Sequence, residues 1–169
     1  VALSRALIGR IRGGLAQVNV LVSMFFAGMN GSVVADTATV GALVLPAMKK
    51  AGYPAAFSAA VTGVSSTIGG IIPPSIMMIV LANSTEISIA ALFAAGIIPG
   101  VMIGIVIMII NHYFAIKYNF ERSDEPFSIR RAGKELYRSS FALLIPLVLV
   151  GSVMGLSLIH ISEPTRRRL

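Results

Sequence analysis

The 169-residue sequence contains no cysteine. That excludes a disulfide framework, a thiolate metal site and a cysteine nucleophile, and it leaves the redox compartment unmarked. Histidine is almost as scarce: His112 and His160 stand far apart and leave little for a metal centre. Charge is thin, with 12% of residues charged against 56% hydrophobic and a mean hydropathy of +0.85. An ordinary soluble domain carries roughly 25% charged residues, so this is the composition of a membrane protein. The net charge of +7 would suggest nucleic acid in a soluble chain. Here the basic residues cluster between apolar segments and read as topology signals, and no nucleic-acid partner is expected.

Other absences bear on function. Asp36 is the only acidic residue before Glu86, so paired aspartates, a serine with a base or a histidine cluster at membrane depth are all missing and an enzyme is not expected. His112, beside Tyr113 and Phe114, reads as an interfacial anchor rather than a proton carrier. No arginine lies at membrane depth to clamp a carboxylate. The chain starts at Val1 with no signal-peptide pattern, and is expected to begin inside a larger reading frame. At the other end Leu156 to Arg166, LSLIHISEPTR, resembles a translated sequencing adapter. Authentic sequence is therefore expected to end near Gly155, with 156–169 an artefactual tail whose charges account for two of the seven net positives.

What is present reads as short apolar helices. One runs from about Leu15 to Met29 and a second from about Val33 to Met48, joined by Gly28 to Ser32, GMNGS. The first arm covers roughly 22 Å, less than the roughly 30 Å hydrocarbon core. Basic residues flank both outer ends, Arg5 to Arg12 and Lys49 to Lys50. A re-entrant hairpin over 15–48 fits this pattern, and two thin full spans have the same parity. Pro54 suits the first turn of a next helix, which runs to about Ile68. There STIGGIIPPS, Ser66 to Ser75, interrupts it, and a second half-helix starts at Pro73 or Pro74 and continues to about Ala82. The polar NSTEIS, Asn83 to Ser88, lacks Lys and Arg as an outside loop should. A span over 89–115 follows, with a kink expected at Pro99 and Gly100. Residues 117–138 read as a cytoplasmic connector, and 139–155 as the start of a further span.

Breaking a helix in hydrocarbon strands backbone N–H and C=O groups, so a break survives only where protein, water or an ion takes them up. At STIGGIIPPS the first half-helix ends with its carbonyls facing the gap, and the prolines bring no competing donors. Carbonyl oxygens at such an end suit Na⁺. The hairpin tip adds the side-chain oxygens of Asn30 and Ser32, and the broken helix adds Ser65, Ser66, Thr67 and the carbonyls near Gly69. Together these form an oxygen cage for a hard monovalent cation. Asp36 falls in the first turn of the second arm, where it serves either as a ligand or as a stabiliser of the tip.

Gly28 to Val80, with NGS-x-x-AD, KK-x-GY and SSTIG-x-IIPPS in succession, resembles the large membrane subunit (DctM or M subunit) of tripartite ATP-independent periplasmic (TRAP) transporters. The resemblance extends more weakly to about Gly155. It implies an all-α integral membrane protein of the bacterial inner membrane, with a re-entrant helical hairpin and a discontinuous transmembrane helix, built as an inverted-repeat, elevator-type transporter. The implied function is sodium-driven import of small organic anions such as C4-dicarboxylates or sialic acid. A small DctQ-like membrane subunit and a periplasmic DctP-like solute-binding protein are its implied partners. Na⁺ is the coupling ion, with no other cofactor. The family's first sodium site falls on Asn30, Ser32, Gly69, Ile72 and Pro74, while Asp36, Ser65, Ser66 and Thr67 are candidates for substrate contact or tip stabilisation. Gly70 departs from the proline often found there in the family. Residues 1–116 would make up part of the first repeat, and the chain by itself is not expected to transport. The competing reading is a channel-like or other non-TRAP ion-transporter component. It predicts a continuous polar stripe on a spanning helix, and residues 89–115 carry none.

Overall fold

The computed structural model describes residues 12–120, 148, 151 and 152. Arg5 and Arg10, nearly all of the connector, most of 139–155 and the tail 156–169 lie outside the described residues. Five α-helices and one 3₁₀ turn account for most of 12–120, and no β-strand occurs among the described residues.

Helix α1, Gly14–Asn30, ends where Gly31 turns left-handed at φ 59° and returns its N–H to the Ala27 carbonyl. Two residues suffice for the reversal. Asn30 Oδ1 accepts the Ser32 N–H at 3.1 Å, and Ser32 Oγ accepts the Ala35 N–H at 3.4 Å. The second bond caps α2, Val33–Lys50. The two helices run antiparallel, because Asn19 in the first half of α1 reaches Met48 near the end of α2. Gly52, at φ 79°, and Pro54 then set the start of α3, Ala55–Ser66.

The expected interruption is present, and its edges are tighter than the sequence suggests. Helix α3 stops at Ser66 and winds into a 3₁₀ turn, Thr67–Gly70. Residues 71–75 are non-helical, with the Pro73–Pro74 peptide in cis. Helix α4 then begins at Ile76 rather than at a proline. Ser75 explains the shift: extended itself, it accepts the Met78 N–H on its Oγ at 3.3 Å and donates to the Gly70 carbonyl at 2.7 Å across the gap. Helix α4, Ile76–Thr85, also outlasts its expected end at Ala82. Ser84 and Thr85, read as loop, turn their hydroxyls back onto the Val80 and Leu81 carbonyls, so two exposed polar side chains are accommodated within the helix. Ser88 caps α5, Ile89–Lys117, which runs through Pro99 as one helix.

Helix α1 packs against α2, α3, the 3₁₀ turn and α5. The core it organises is mostly small and β-branched: Ala16, Val18, Val20, Val40, Val44, Met48 and Ile68 are nearly or fully buried. At one end Arg12 donates to Asn119 Oδ1 at 3.2 Å, and Tyr53 packs against Phe120 in a tilted pair with ring centroids 4.7 Å apart. Phe57, Phe114 and Tyr118 extend this aromatic group. The chain-terminal sides of α2 and α5, with Lys49, Lys50 and Lys117, lie at the same end. Aromatic rings beside basic residues are the pattern of a membrane interface.

Helix α5 alone among the described helices is long and apolar enough to cross a bilayer. Its 29 residues reach about 44 Å, more than the roughly 30 Å core. Ile98, Met102, Val106, Ile109 and Tyr113 on α5 are exposed, as are Met77, Val80 and Leu81 on α4. An apolar surface of this extent requires lipid or further protein against it.

Candidate cation site at the broken helix

The turn between α1 and α2 docks directly on the break. The Ile76 N–H donates to the Gly31 carbonyl at 3.2 Å, which ties the tip to the start of α4. A Cβ at Gly31 would overlap the Pro74 carbonyl, so both the left-handed backbone and the close approach require glycine. Gly69 lies against the other side of the tip, its Cβ position 3.7 Å from the Ser32 carbonyl oxygen. Gly70 meets Val33 in the same way, at 3.2 Å.

Asn30, Ser32, Gly69 and Pro74 therefore converge, although they come from two segments separated by nearly forty residues. Both side-chain oxygens of the tip already accept one backbone bond each and retain a free lone pair. Among the described residues no hydrogen bond ends on the carbonyls of Ile72 or Pro74. The Ile72 side chain packs on α5, where a Cβ at Gly100 would come within 2.5 Å of its Cγ1.

The second group of candidates divides. Asp36, Ser65 and Ser66 are fully buried behind the tip. Ser65 Oγ pairs with Ser23 Oγ at 3.1 Å and donates to the Thr62 carbonyl at 3.1 Å. The Ser66 and Ser23 hydroxyls stand beside the Asp36 carboxylate, but no hydrogen bond closes on either Asp36 oxygen or on Ser66 Oγ. Thr67 is not part of this cluster. It is exposed, and its hydroxyl is spent on the Val64 carbonyl at 2.7 Å.

Two further features escaped sequence reading. Gly96, Gly100 and Gly104 form a stripe along α5 that admits Ile71, Ile72 and Met24; the signal was a repeated G-x-x-x-G inside an apolar run. The amides Gln17 and Asn19 in α1 and Asn111 in α5 are buried. Gln17 Nε2 donates to the Met108 carbonyl at 2.7 Å and Asn19 Nδ2 to Thr62 Oγ1 at 2.6 Å. A lone amide in an apolar helix is the signal that could have found them.

A long apolar helix with an exposed apolar surface, a docked helical pair and a discontinuous helix fit the class of helical membrane proteins. Comparison with known proteins makes this specific. The family described as "Tripartite ATP-independent periplasmic transporter, DctM component" matches residues 1–163. The sialic acid TRAP transporter permease protein SiaT of Haemophilus influenzae is 38% identical over 153 residues, 90% of this chain and 24% of its own length. The C4-dicarboxylate TRAP transporter large permease protein DctM of Pseudomonas aeruginosa is 43% identical over 112 residues, 66% of this chain and 26% of its own length. The 2,3-diketo-L-gulonate TRAP transporter large permease protein YiaN of Escherichia coli is 37% identical over 151 residues, 89% of this chain and 35% of its own length. The chain belongs to the DctM family of TRAP transporter large permeases, and it spans between about a quarter and about a third of the length of these relatives.

Proposed function

We propose that this chain contributes the first ion-binding half of the large membrane subunit of a sodium-coupled secondary transporter that imports small organic anions across the bacterial inner membrane. The observation that carries the reading is the docking of the Asn30–Ser32 tip on the 69–75 break, which gathers oxygen ligands from two segments. Asn30, Ser32, Gly69, Ile72 and Pro74 hold the sodium ion, with amide, hydroxyl and backbone oxygens as a hard cation prefers. Asp36, Ser65 and Ser66 support the tip from behind.

The heights of the elements favour a re-entrant α1–α2 hairpin. Ile72 meets α5 at Gly100, eleven residues inside the Ile89 end, or about 16 Å short of it. A tip that docks on this stretch stops within the bilayer, where substrate and ions can reach it from either face as a mobile hairpin domain moves. The relatives are named for sialic acid, C4-dicarboxylates and 2,3-diketo-L-gulonate, and a small organic acid is accordingly the substrate class. One relative is named DctMQ, which fits a small membrane subunit as partner, alongside a periplasmic binding protein that delivers the acid.

The test uses a full-length DctM-family permease carrying these residues, reconstituted with its small subunit and binding protein. An inward sodium gradient should drive uptake of the labelled acid, and Asn30→Ala with Ser32→Ala should reduce it at least about tenfold. Uptake that persists when sodium is replaced by choline would overturn the reading.

A further inference from the structure

We propose that the end of the molecule carrying Lys49, Lys50 and Lys117 binds the phosphate headgroup of an anionic phospholipid, whose chains lie along the exposed face of α5. The lysines close α2 and α5, and all three are exposed. Arg12 is held by Asn119, but no hydrogen bond or ion pair reaches any of the three lysines among the described residues. No acid stands at this end among the described residues either. Asp36 is in the first turn of α2, at the tip, and Glu86 follows α4, before α5 begins. A lysine at a helix C-terminus complements the dipole, yet its ammonium still holds three donors. An anionic headgroup is the acceptor that a membrane interface supplies.

Packing holds the two lysine-bearing helix ends together. The Tyr53 N–H donates to the Met48 carbonyl at 3.1 Å, which draws Tyr53 against the end of α2. Phe120 folds back on α5, its N–H on the Ala115 carbonyl at 3.0 Å. Its ring centroid lies 4.7 Å from that of Tyr53 and 5.9 Å from that of Tyr118, next to Lys117. The exposed face of α5 then indicates the occupant. Ile109, Tyr113, Ile116 and Lys117 share one face at helical spacing, and all four are exposed. From the interior of the helix outward they run apolar, aromatic and cationic over about 12 Å. A phospholipid has the same order: acyl chain, glycerol ester, phosphate. A zwitterionic headgroup would bring its own ammonium against the lysines, and an anionic one does not. The inference needs only a bilayer around α5 and stands without sodium at the tip.

Quenching of tryptophan fluorescence in vesicles tests it. The 169 residues hold no tryptophan, so Ile116→Trp in the full chain places a single indole beside Lys117. Ile98→Trp, at a position 70% exposed toward the other end of α5, is the control. Brominated phosphatidylglycerol and brominated phosphatidylcholine are the quenchers, at equal mole fraction. Ile116→Trp should report association of phosphatidylglycerol at least about fivefold tighter than of phosphatidylcholine, the factor that one lysine contributes near an anionic surface. Ile98→Trp should report no preference. Adding Lys49→Gln, Lys50→Gln and Lys117→Gln to Ile116→Trp should reduce the preference to less than about twofold. Equal quenching by the two lipids in Ile116→Trp, a preference that survives the three glutamine substitutions, or an equal preference in Ile98→Trp would overturn the proposal. Quenching by neither lipid would overturn it too, because protein would then cover the face. Circular dichroism checks that the variants fold; should Ile116→Trp not, Ile109→Trp, at a position 63% exposed on the same face, should report the same preference and the same loss.

Discussion

Gly31→Ala should be the most damaging single-methyl change in the described chain, for two separable reasons. Gly31 holds a left-handed φ of 59°, which costs an L-residue about 1–2 kcal/mol. Its Cβ would also overlap the Pro74 carbonyl, a backbone atom that no rotamer can move, and forced overpacking costs about 1–3 kcal/mol more. The sum is about 2–5 kcal/mol. Gly52→Ala isolates the first term, because Gly52 also has a positive φ, 79°, and a Cβ there meets nothing within 4 Å. It should cost about 1–2 kcal/mol. Gly63→Ala, in the interior of α3 with equally open space, removes the entropy term alone and should stabilise by about 0.5–1 kcal/mol. Reversible unfolding of the three variants in mixed micelles, followed by circular dichroism, reads all of these. If Gly31→Ala loses no more than Gly52→Ala, the tip does not press on the break and the reasoning fails.

Three other outcomes follow from the packing. Gly96→Ala should destabilise by about 1–3 kcal/mol, since its Cβ would come within 2.6 Å of the Ile71 carbonyl oxygen; Gly104→Ala meets only the flexible Met24 side chain and should cost less than about 1 kcal/mol, so thermal unfolding should rank them in that order. The buried Asn19–Thr62 bond of 2.6 Å should give a coupling of about 0.6–1.7 kcal/mol in a double-mutant cycle of Asn19→Ala and Thr62→Val. Ser75→Ala removes both the α4 cap and the bridge to the Gly70 carbonyl and should cost about 1–3 kcal/mol. Proteolysis of that variant should show the 67–76 stretch opening before the rest.

Much of the helix layout was legible because the chain punctuates itself in short-range chemistry. Asn30, Gly31 and Ser32 can make a two-residue reversal from their own side chains, and Lys50, Gly52 and Pro54 mark a second stop and start. The break was legible from Gly69, Gly70, Pro73 and Pro74 for the same reason. What misled was side-chain bonding that reverses an ordinary preference. Ser75 moves the start of α4 past both prolines, and Ser84 and Thr85 extend its end. The candidate ligands were legible as residue types, but not which of them face inward: Ser66 turns to Asp36 while its neighbour Thr67 turns out. The glycine stripe of α5 and the amides of α1 acquire meaning only through contacts with other segments of the chain, such as Ile72 with Gly100, Asn19 with Thr62 or Gln17 with the Met108 carbonyl. Periodicity within one helix carries no record of those partners.

The central claim, that the tip of the first helical pair sits in the break of the next helix, is tested most directly by cross-linking in native membranes. These 169 residues hold no cysteine, so an introduced pair is the only one among them. The Gly70 Cβ position is 3.2 Å from Val33 Cγ2, within disulfide reach, whereas Val34 is 78% exposed. Val33→Cys with Gly70→Cys should cross-link readily under mild oxidation, and Val34→Cys with Gly70→Cys should not. Equal cross-linking of the two pairs, or none in the first, would contradict the account.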